Sequence, residues 1–283
     1  MFTDDEVTPT RLEVLIDVLR EYSRRDWDRA ELIGVLQPKG LPDLSPNSKQ
    51  ASHTIGAARE LGVVVEENQR LRLNVADRTL TTRQLLLQFI DDQMLSRTDV
   101  EPFYGPFYAY LLSLDAAGCQ RRDGDKWAIS FNQDCPAVAK ADNPFNKAKY
   151  TGLNRWYSYS GHGWFDTQEV FQPNPYQRVR RRLGHVFGRE TKLDGAEFFT
   201  RLSTLCPELD GGAIFCKTVA KYDQSRGVVS LALSHALIDL HFDRVIRLFC
   251  ASDSRGWSIE AAQPPNDGDT LRSGRVDYVQ YLG

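Results

Sequence analysis

Between residues 9 and 74 the apolar positions recur first at helical and then at strand spacing. Leu12, Leu15, Ile16, Leu19 and Tyr22 make one stripe on a helix expected over 9–25, with Thr8 as its cap and Pro9 in its first turn. A second helix is expected from Asp28, carrying Leu32, Ile33, Val35 and Leu36 and ending before Pro38 and Gly40. The turn LPDLSP leads into a third, for which Ser45 is a good cap and Pro46 a good first residue. On that helix Ala51, Ile55, Ala58 and Leu61 share one face. Lys49, His53 and Glu60 lie opposite, with Gln50, Ser52 and Arg59 to the sides. The period then falls to two, and residues 63–66 and 70–74 read as strands joined near Glu67, Asn68 and Gln69. Helix, turn, helix and hairpin is the order of a winged helix, a unit that binds nucleic acid or docks protein.

The same grammar recurs twice downstream, in the order of elements rather than in residue identity. An amphipathic helix over 79–95 (Leu85, Leu86, Phe89, Met94) and an aromatic-rich one over 103–117 precede CQRRDGDKWAISF, where Asp123-Gly124 is expected to turn a hairpin. A helix over 145–157 precedes GHGWFDTQEVFQPNP, a further strand-turn-strand pattern, and Pro173, Asn174 and Pro175 punctuate the chain. Helices are then expected over 176–187, 195–205, 213–221 and 228–240, followed by VIRLFCASDSRGWSIEA as a hairpin and QPPNDGDTLRSG as a loop. The expected fold is mainly α with short β-hairpins, arranged as tandem winged-helix-like domains at 1–78, 79–175 and 176–283. A chain of 283 residues suits two or three domains of roughly 100–200 residues each.

Composition narrows the classes without choosing among them. An apolar content of 41% with 26% charged residues is that of an ordinary globular protein. No apolar run approaches the ~18 residues that read as a membrane span. The segment MFTDDEVTPT is acidic and lacks a signal-peptide core, so a cytoplasmic location is the expectation. The five cysteines are scattered and form no CxxC pair, which argues against a zinc ribbon or a disulfide framework. A net charge of −3 argues against indiscriminate coating of nucleic acid and leaves room for local basic patches.

Two such patches are candidates. In the first, the third helix enters a DNA major groove, and Lys49, Gln50, Ser52, His53 and Arg59 meet phosphates and base edges. Arg70 and Arg72 are the cations of the wing, set against Glu66 and Glu67, which repel phosphate. Gly56 in mid-helix costs about 1 kcal/mol relative to alanine and allows close backbone approach. The bland alternative is a winged helix that docks protein or only packs on its neighbours. The second patch runs from Lys140 to Arg182. Lys140, Lys147, Lys149 and Arg155 are interleaved with Trp156, Tyr157, Tyr159 and Trp164, a pattern suited to phosphate contact and base stacking. Arg178, Arg180, Arg181 and Arg182 follow and are expected to point outward from a buried stripe of Tyr176, Val179, Leu183 and Val186. The alternative there is a solvated helix face beside aromatics that fill a core.

Enzyme chemistry is thinly represented. PELDGGAIFCK faintly resembles a metal-dependent nuclease core, but Phe215 stands where the second carboxylate is needed. His235 and His241 are six apart, the wrong spacing for a ligand pair on one helical face. No phosphate-cradling glycine loop is present. No catalytic residue, metal or cofactor is therefore expected.

After the winged-helix pattern come NRWYSYSGHGWFD, FQPNPYQRVRRRL, FFTRLSTLCPELDGG and SHALIDLHFDRVIRL. This layout resembles the DpdG-like family, encoded in bacterial loci that insert 7-deazaguanine derivatives into DNA and restrict unmodified DNA. The resemblance implies a non-catalytic accessory component of a phage-defence system and carries over no catalytic residue. The acidic wing departs from a plain DNA-binding winged helix. The expected partners are DNA and other protein subunits of a complex, with no membrane.

Overall fold

The computed structural model describes residues 6–23, 25–38, 49–74, 79–99, 101–114, 123–139, 143–220, 227–249, 257–259 and 274–283. Helix α1 (Pro9–Glu21) starts where the extended Thr8 accepts a hydrogen bond from the Arg11 amide, and it buries Leu12, Leu15, Ile16 and Leu19. It stops at Tyr22, short of the expected Arg25. A two-residue strand, β1 (Trp27–Asp28), precedes α2 (Arg29–Leu36), whose cap is the Asp28 carboxylate on the Ala30 amide. Then come α3 (Lys49–Glu60), β2 (Val64–Glu67) and β3 (Arg70–Leu73). The expected Ser45-Pro46 start of the third helix lies outside the described residues. Asn68 and Gln69 both take positive φ, 50° and 64°, as the two-residue turn of a tight hairpin requires. β3 pairs antiparallel with β2 (Val64 opposite Leu73) and with β1 (Trp27 opposite Leu71), so the sheet order is β1-β3-β2.

The middle of the chain is helical. A Thr81–Gln84 capping box opens α4 (Thr82–Phe89), which runs on into a π-helical turn, Ile90–Met94. All nine residues of α5 (Tyr104–Leu112) are buried, as a helix apolar all round must be. The Asp123-Gly124 pair does not turn a hairpin. Asp123 instead caps α6 (Gly124–Asp134) through the Lys126 amide. Trp127, Ala128 and Phe131 form its buried helical face, and that stripe decides between the two uses of Asp-Gly. Asn146 caps α7 (Lys147–Ser160), which ends on a left-handed Gly161. The hairpin of β4 (Gly163–Phe165) and β5 (Phe171–Pro173) follows as expected. Phe107 sits at the hub of this region, with ring centroids 4.5 Å from Phe145 and 5.2 Å from Phe131.

The last third holds α8 (Tyr176–Phe187), β6 (Lys192–Asp194), α9 (Gly195–Leu205), α10 (Ala213–Thr218) and α11 (Leu231–Phe242). It continues with β7 (Ile246–Phe249), β8 (Trp257–Ser258), β9 (Arg275–Val276) and β10 (Tyr278–Tyr281). Much of the expected 245–261 hairpin lies outside the described residues, and among the described ones its two strands do not pair with each other. β7 pairs with β10, β8 pairs with β9, and the three-stranded order is β6-β10-β7. Leu193, Val279 and Leu248 form the inward row of that sheet and pair side by side. Nearly all of QPPNDGDTLRSG lies outside the described residues. The molecule is mainly helical with small antiparallel sheets, and one continuous apolar core runs from Val7 to Val279.

Candidate nucleic-acid interface

Helix α3 packs on α1 through small residues. Ala51, Thr54, Ile55, Ala57 and Ala58 are buried, and the short alanines and Thr54 around Ile55 let the two helices pack closely. The opposite side carries the expected contact residues. Lys49, His53 and Arg59 are exposed, and Gln50 and Ser52 are half-buried. Most are held by neighbours. Arg11 Nη2 donates to Gln50 Oε1 at 3.0 Å, and Arg29 Nη2 donates to Ser52 Oγ at 3.0 Å. His53 Nδ1 lies 2.5 Å from Glu6 Oε2. Across the junction with the hairpin, Arg59 pairs with Glu66 at 2.7 Å, and on the hairpin Arg72 pairs with Glu67 at 2.7 Å. Arg70 is exposed on the same hairpin.

A groove lies between α3 and the hairpin, lined by Gly56, Arg59, Glu60, Val64, Val65 and Glu66. Gly56 belongs to its wall. A Cβ built there meets nothing within 4 Å, so the missing side chain leaves α3 backbone open to the groove. Arg59, Arg70 and Arg72 are balanced by Glu60, Glu66 and Glu67, which makes the rim locally neutral. Solvent-exposed ion pairs are typically worth about 0.2–1 kcal/mol. Arg59 and Arg72 can therefore exchange a carboxylate for a phosphate at little cost.

The second candidate patch is dispersed. Of the arginines expected to point outward, only Arg180 is exposed; Arg178 is 0% exposed, and Arg181 and Arg182 are half-buried. A single apolar stripe implies a helix with one packed side, whereas α8 is also covered on a second side by the π-helical turn. Arg178, Arg181 and Arg182 share that second side through i, i+3 and i+4 spacing. Arg178 Nε donates to Glu208 Oε1 at 2.7 Å. Arg181 grips Asp91 with both ends of its fork, Nε to Oδ2 at 2.7 Å and Nη2 to Oδ1 at 3.0 Å, and Arg182 pairs with Asp92. Lys149 donates to the Pro144 carbonyl at 2.5 Å and lies over the Phe103 ring. Lys147 is exposed, 3.8 Å from Asp125, and Arg155 is half-buried. Trp156 and Tyr157 are core residues, and the Tyr159 hydroxyl donates to Glu13 at 2.7 Å, so Trp164 alone of these aromatics is exposed. Lys140 lies outside the described residues.

Sequence reasoning missed a buried ionic cluster. Asp91, His162, Arg178 and Glu208 are all buried and join the π-helical turn, the β4 entry, α8 and the α9–α10 connection. Burial opposes ionisation of Asp91, but contacts with His162, Arg178 and Arg181 outweigh it and hold the carboxyl well below its usual range. Burial pushes His162 down to about 4, so the ring is neutral at pH 7. Ser160 Oγ contacts His162 Nδ1, and His162 Nε2 lies 3.6 Å from Asp91 Oδ1. The sequence of groups superficially matches a nucleophilic triad, but it is enclosed beneath Tyr104 and Tyr108 and meets no surface. An acid at a buried position of a helix that otherwise carries Leu86, Ile90 and Met94 inward was the available signal.

Asp210, the acid of the nuclease-like segment, is a structural group here. It accepts from the Ser230 amide at 2.7 Å and from the Ser230 hydroxyl at 2.8 Å, which anchors the start of α11. Gly212 beside it is required by packing, because a Cβ there would lie 2.4 Å from the Pro207 carbonyl oxygen. Among the described residues no group of three or more His, Cys, Asp or Glu side chains is arranged to hold a metal ion. Nor is any helix among them long and apolar enough to cross a membrane.

No curated protein matches the chain, and no solved structure does. One family model, described as DpdG-like, matches residues 2–254. That span takes in the α3 face, the hairpin and every segment that carries the sequence resemblance, and it points to a role associated with DNA modification. On a match of this extent, the chain belongs to the DpdG-like family.

Proposed function

We propose that this chain is a non-enzymatic, DNA-binding accessory subunit of a bacterial phage-defence or DNA-processing complex, built from winged-helix-like domains. The observation that carries the reading is a repeated topology. In α1-β1-α2-α3-β2-β3 the hairpin pairs with the short first strand in the order β1-β3-β2, the plan of a winged helix. The elements α8-β6-α9-α11-β7-β10 follow the same plan with the order β6-β10-β7, with α10 inserted before α11 and the β8–β9 pair inserted before β10. The middle set α5-α6-α7-β4-β5 has three helices and a hairpin in the same order, and most of the stretch between α5 and α6, where a first strand would fall, lies outside the described residues.

In this reading α3 enters the major groove. Lys49, His53 and Arg59 contact phosphates or base edges, Gln50 and Ser52 supply amide and hydroxyl groups, and Arg70 and Arg72 lie on the adjoining backbone. Arg178, Arg181 and Arg182 position elements rather than contact DNA, and Lys147, Lys149, Arg155 and Arg180 are peripheral. The test is fluorescence anisotropy on a random duplex across a salt series. Lys49, Arg59, Arg70 and Arg72 neutralising four phosphates give a slope of about −3.6 in log affinity against log salt. A Lys49/His53/Arg59→Ala variant flattens that slope by about 1.8.

A second reading, a protein-docking adaptor without DNA contact, is favoured by the charge balance of the α3–hairpin groove. It stands if the wild-type chain binds no duplex at low salt and instead forms a salt-insensitive complex with partner subunits.

A further inference from the structure

The outward face of the β6-β10-β7 sheet combines aromatic rings with cations. Strand alternation sends Leu193, Val279 and Leu248 inward and leaves two rows outside. One row is Asp194, Tyr278 and Phe249; the other is Lys192, Gln280 and Arg247. Tyr278 is 46% exposed, and Lys192 and Arg247 are exposed. Lys192 Nζ lies 4.3 Å from the Tyr278 ring centroid and 5.3 Å from that of Phe249, while the Arg247 guanidinium lies 5.4 Å from Phe249. Asp194, the one acid of the two rows, is turned away, since its carboxylate caps α9 through the Glu197 amide. The outward face thus holds an exposed Tyr278 ring and a half-buried Phe249 ring on neighbouring strands, with a cation beside each and an amide between.

We propose that this sheet face is a second nucleic-acid site, which takes single-stranded nucleic acid by stacking unpaired bases on Tyr278 and Phe249. Rings on the open face of a small antiparallel sheet, flanked by basic side chains, are a recurrent stacking platform for single strands. Duplex is excluded, because its bases are already stacked and cannot lie flat on a ring. Lys192 and Arg247 serve two states. In the free protein they cover the rings, an exposed contact that is weak and readily exchanged. With a strand bound they turn to its phosphates and uncover the rings. The Gln280 amide, between the two cations, can donate to and accept from a base edge. This site is separate from α3 and does not depend on duplex binding there.

The experiment uses the full chain and labelled oligo-dT, oligo-rU and a duplex of equal length, read by anisotropy across a salt series. Wild type binds at least one of the two single strands with a slope of about −1.4, two phosphates at ~0.7 each. Tyr278→Ala weakens that binding by at least about fivefold, the lower end of what one stacked base contributes, while Tyr278→Phe retains it. The double variant Lys192→Gln/Arg247→Gln removes the slope and touches no core residue, so it tests the site even if Tyr278→Ala fails to fold. The Lys49/His53/Arg59→Ala variant leaves single-strand binding intact. Preference for dT or rU identifies the strand as DNA or RNA, and either supports the site. No binding to either strand at low salt overturns the proposal, as does single-strand binding lost in the α3 variant and indifferent to both sheet variants.

Discussion

Replacing Asp91 with asparagine tests the claim that the α8 arginines are structural. The substitution keeps shape and removes one charge from a cluster in which Arg178 is fully buried and Arg181 is about three-quarters buried. Breaking a buried pair by removing one partner typically costs about 3–5 kcal/mol, because the other charge is left without compensation. Arg178 keeps Glu208 at 2.7 Å, and Arg181 keeps the Ser160 carbonyl at 3.1 Å, so the lower end, about 3 kcal/mol, is expected. Unfolding entropy near ~2.1 cal/mol/K per residue over 283 residues is about 0.6 kcal/mol/K, which converts this loss to a Tm drop of roughly 5 °C. Urea unfolding at pH 7, with the m-value checked for constancy, measures it. A cycle with Arg181→Gln should show coupling above about 1 kcal/mol. A loss below about 1 kcal/mol, or additive single variants, would refute the argument and return these arginines to the surface-contact class.

Three further outcomes are expected. The folded-state pKa of His162 is depressed, to about 4 from 6.5, so the unfolded chain binds the extra proton and stability falls as pH drops through that window, by up to about 3 kcal/mol. Urea midpoints from pH 7 to pH 4 should show that loss, and His162→Gln should reduce its slope; an unchanged slope would place the acid sensitivity elsewhere. Gly56→Ala should raise stability by roughly 1 kcal/mol, because the position is helical and open, yet weaken duplex binding if the groove wall is the contact; calorimetry and anisotropy read the two effects separately. Gly212→Ala should destabilise by about 1–3 kcal/mol, because its Cβ would strike the Pro207 carbonyl, and a neutral result in thermal unfolding would overturn that reading.

Elements whose signal is local were legible from sequence. Tyr176–Phe187 and Gly195–Leu205 appear at their expected bounds, the first because its apolar stripe lies between Pro175 and Gly188, the second because its stripe begins at the Asp194 cap. The hairpin after α3 was readable because two short strand-like runs flank a polar turn that includes Asn68, a residue that tolerates positive φ. What sequence hid was partnership across distance. β1 and β6, of two and three residues, carry too little periodicity to register and exist because a later strand pairs with them. β7 pairs with a strand beyond the expected hairpin for the same reason. At the candidate site the face of α3 was legible from helical spacing, but its ion pairs with Glu6 and Glu66 were not. The outward reading of Arg178 failed because one stripe on a helix says nothing of a second neighbour.

The central place of β10 has a consequence for how this chain can be handled and made. Among the described residues β6 and β7 are not hydrogen-bonded to each other; each pairs with β10, with Asp194 opposite Tyr278, 84 positions further along the chain (278 − 194). Closing so long a loop is entropically slow, so this sheet forms late relative to the helices beside it. A growing polypeptide leaves both edges unsatisfied until residues 278–281 have emerged, and unpaired edges are sites of mispairing. A fragment trimmed to the family-matched residues 2–254 would lack the strand that joins the other two. Such a fragment should retain the α1–β3 region and aggregate through its other end, which makes the stretch through Tyr281 the minimum to express.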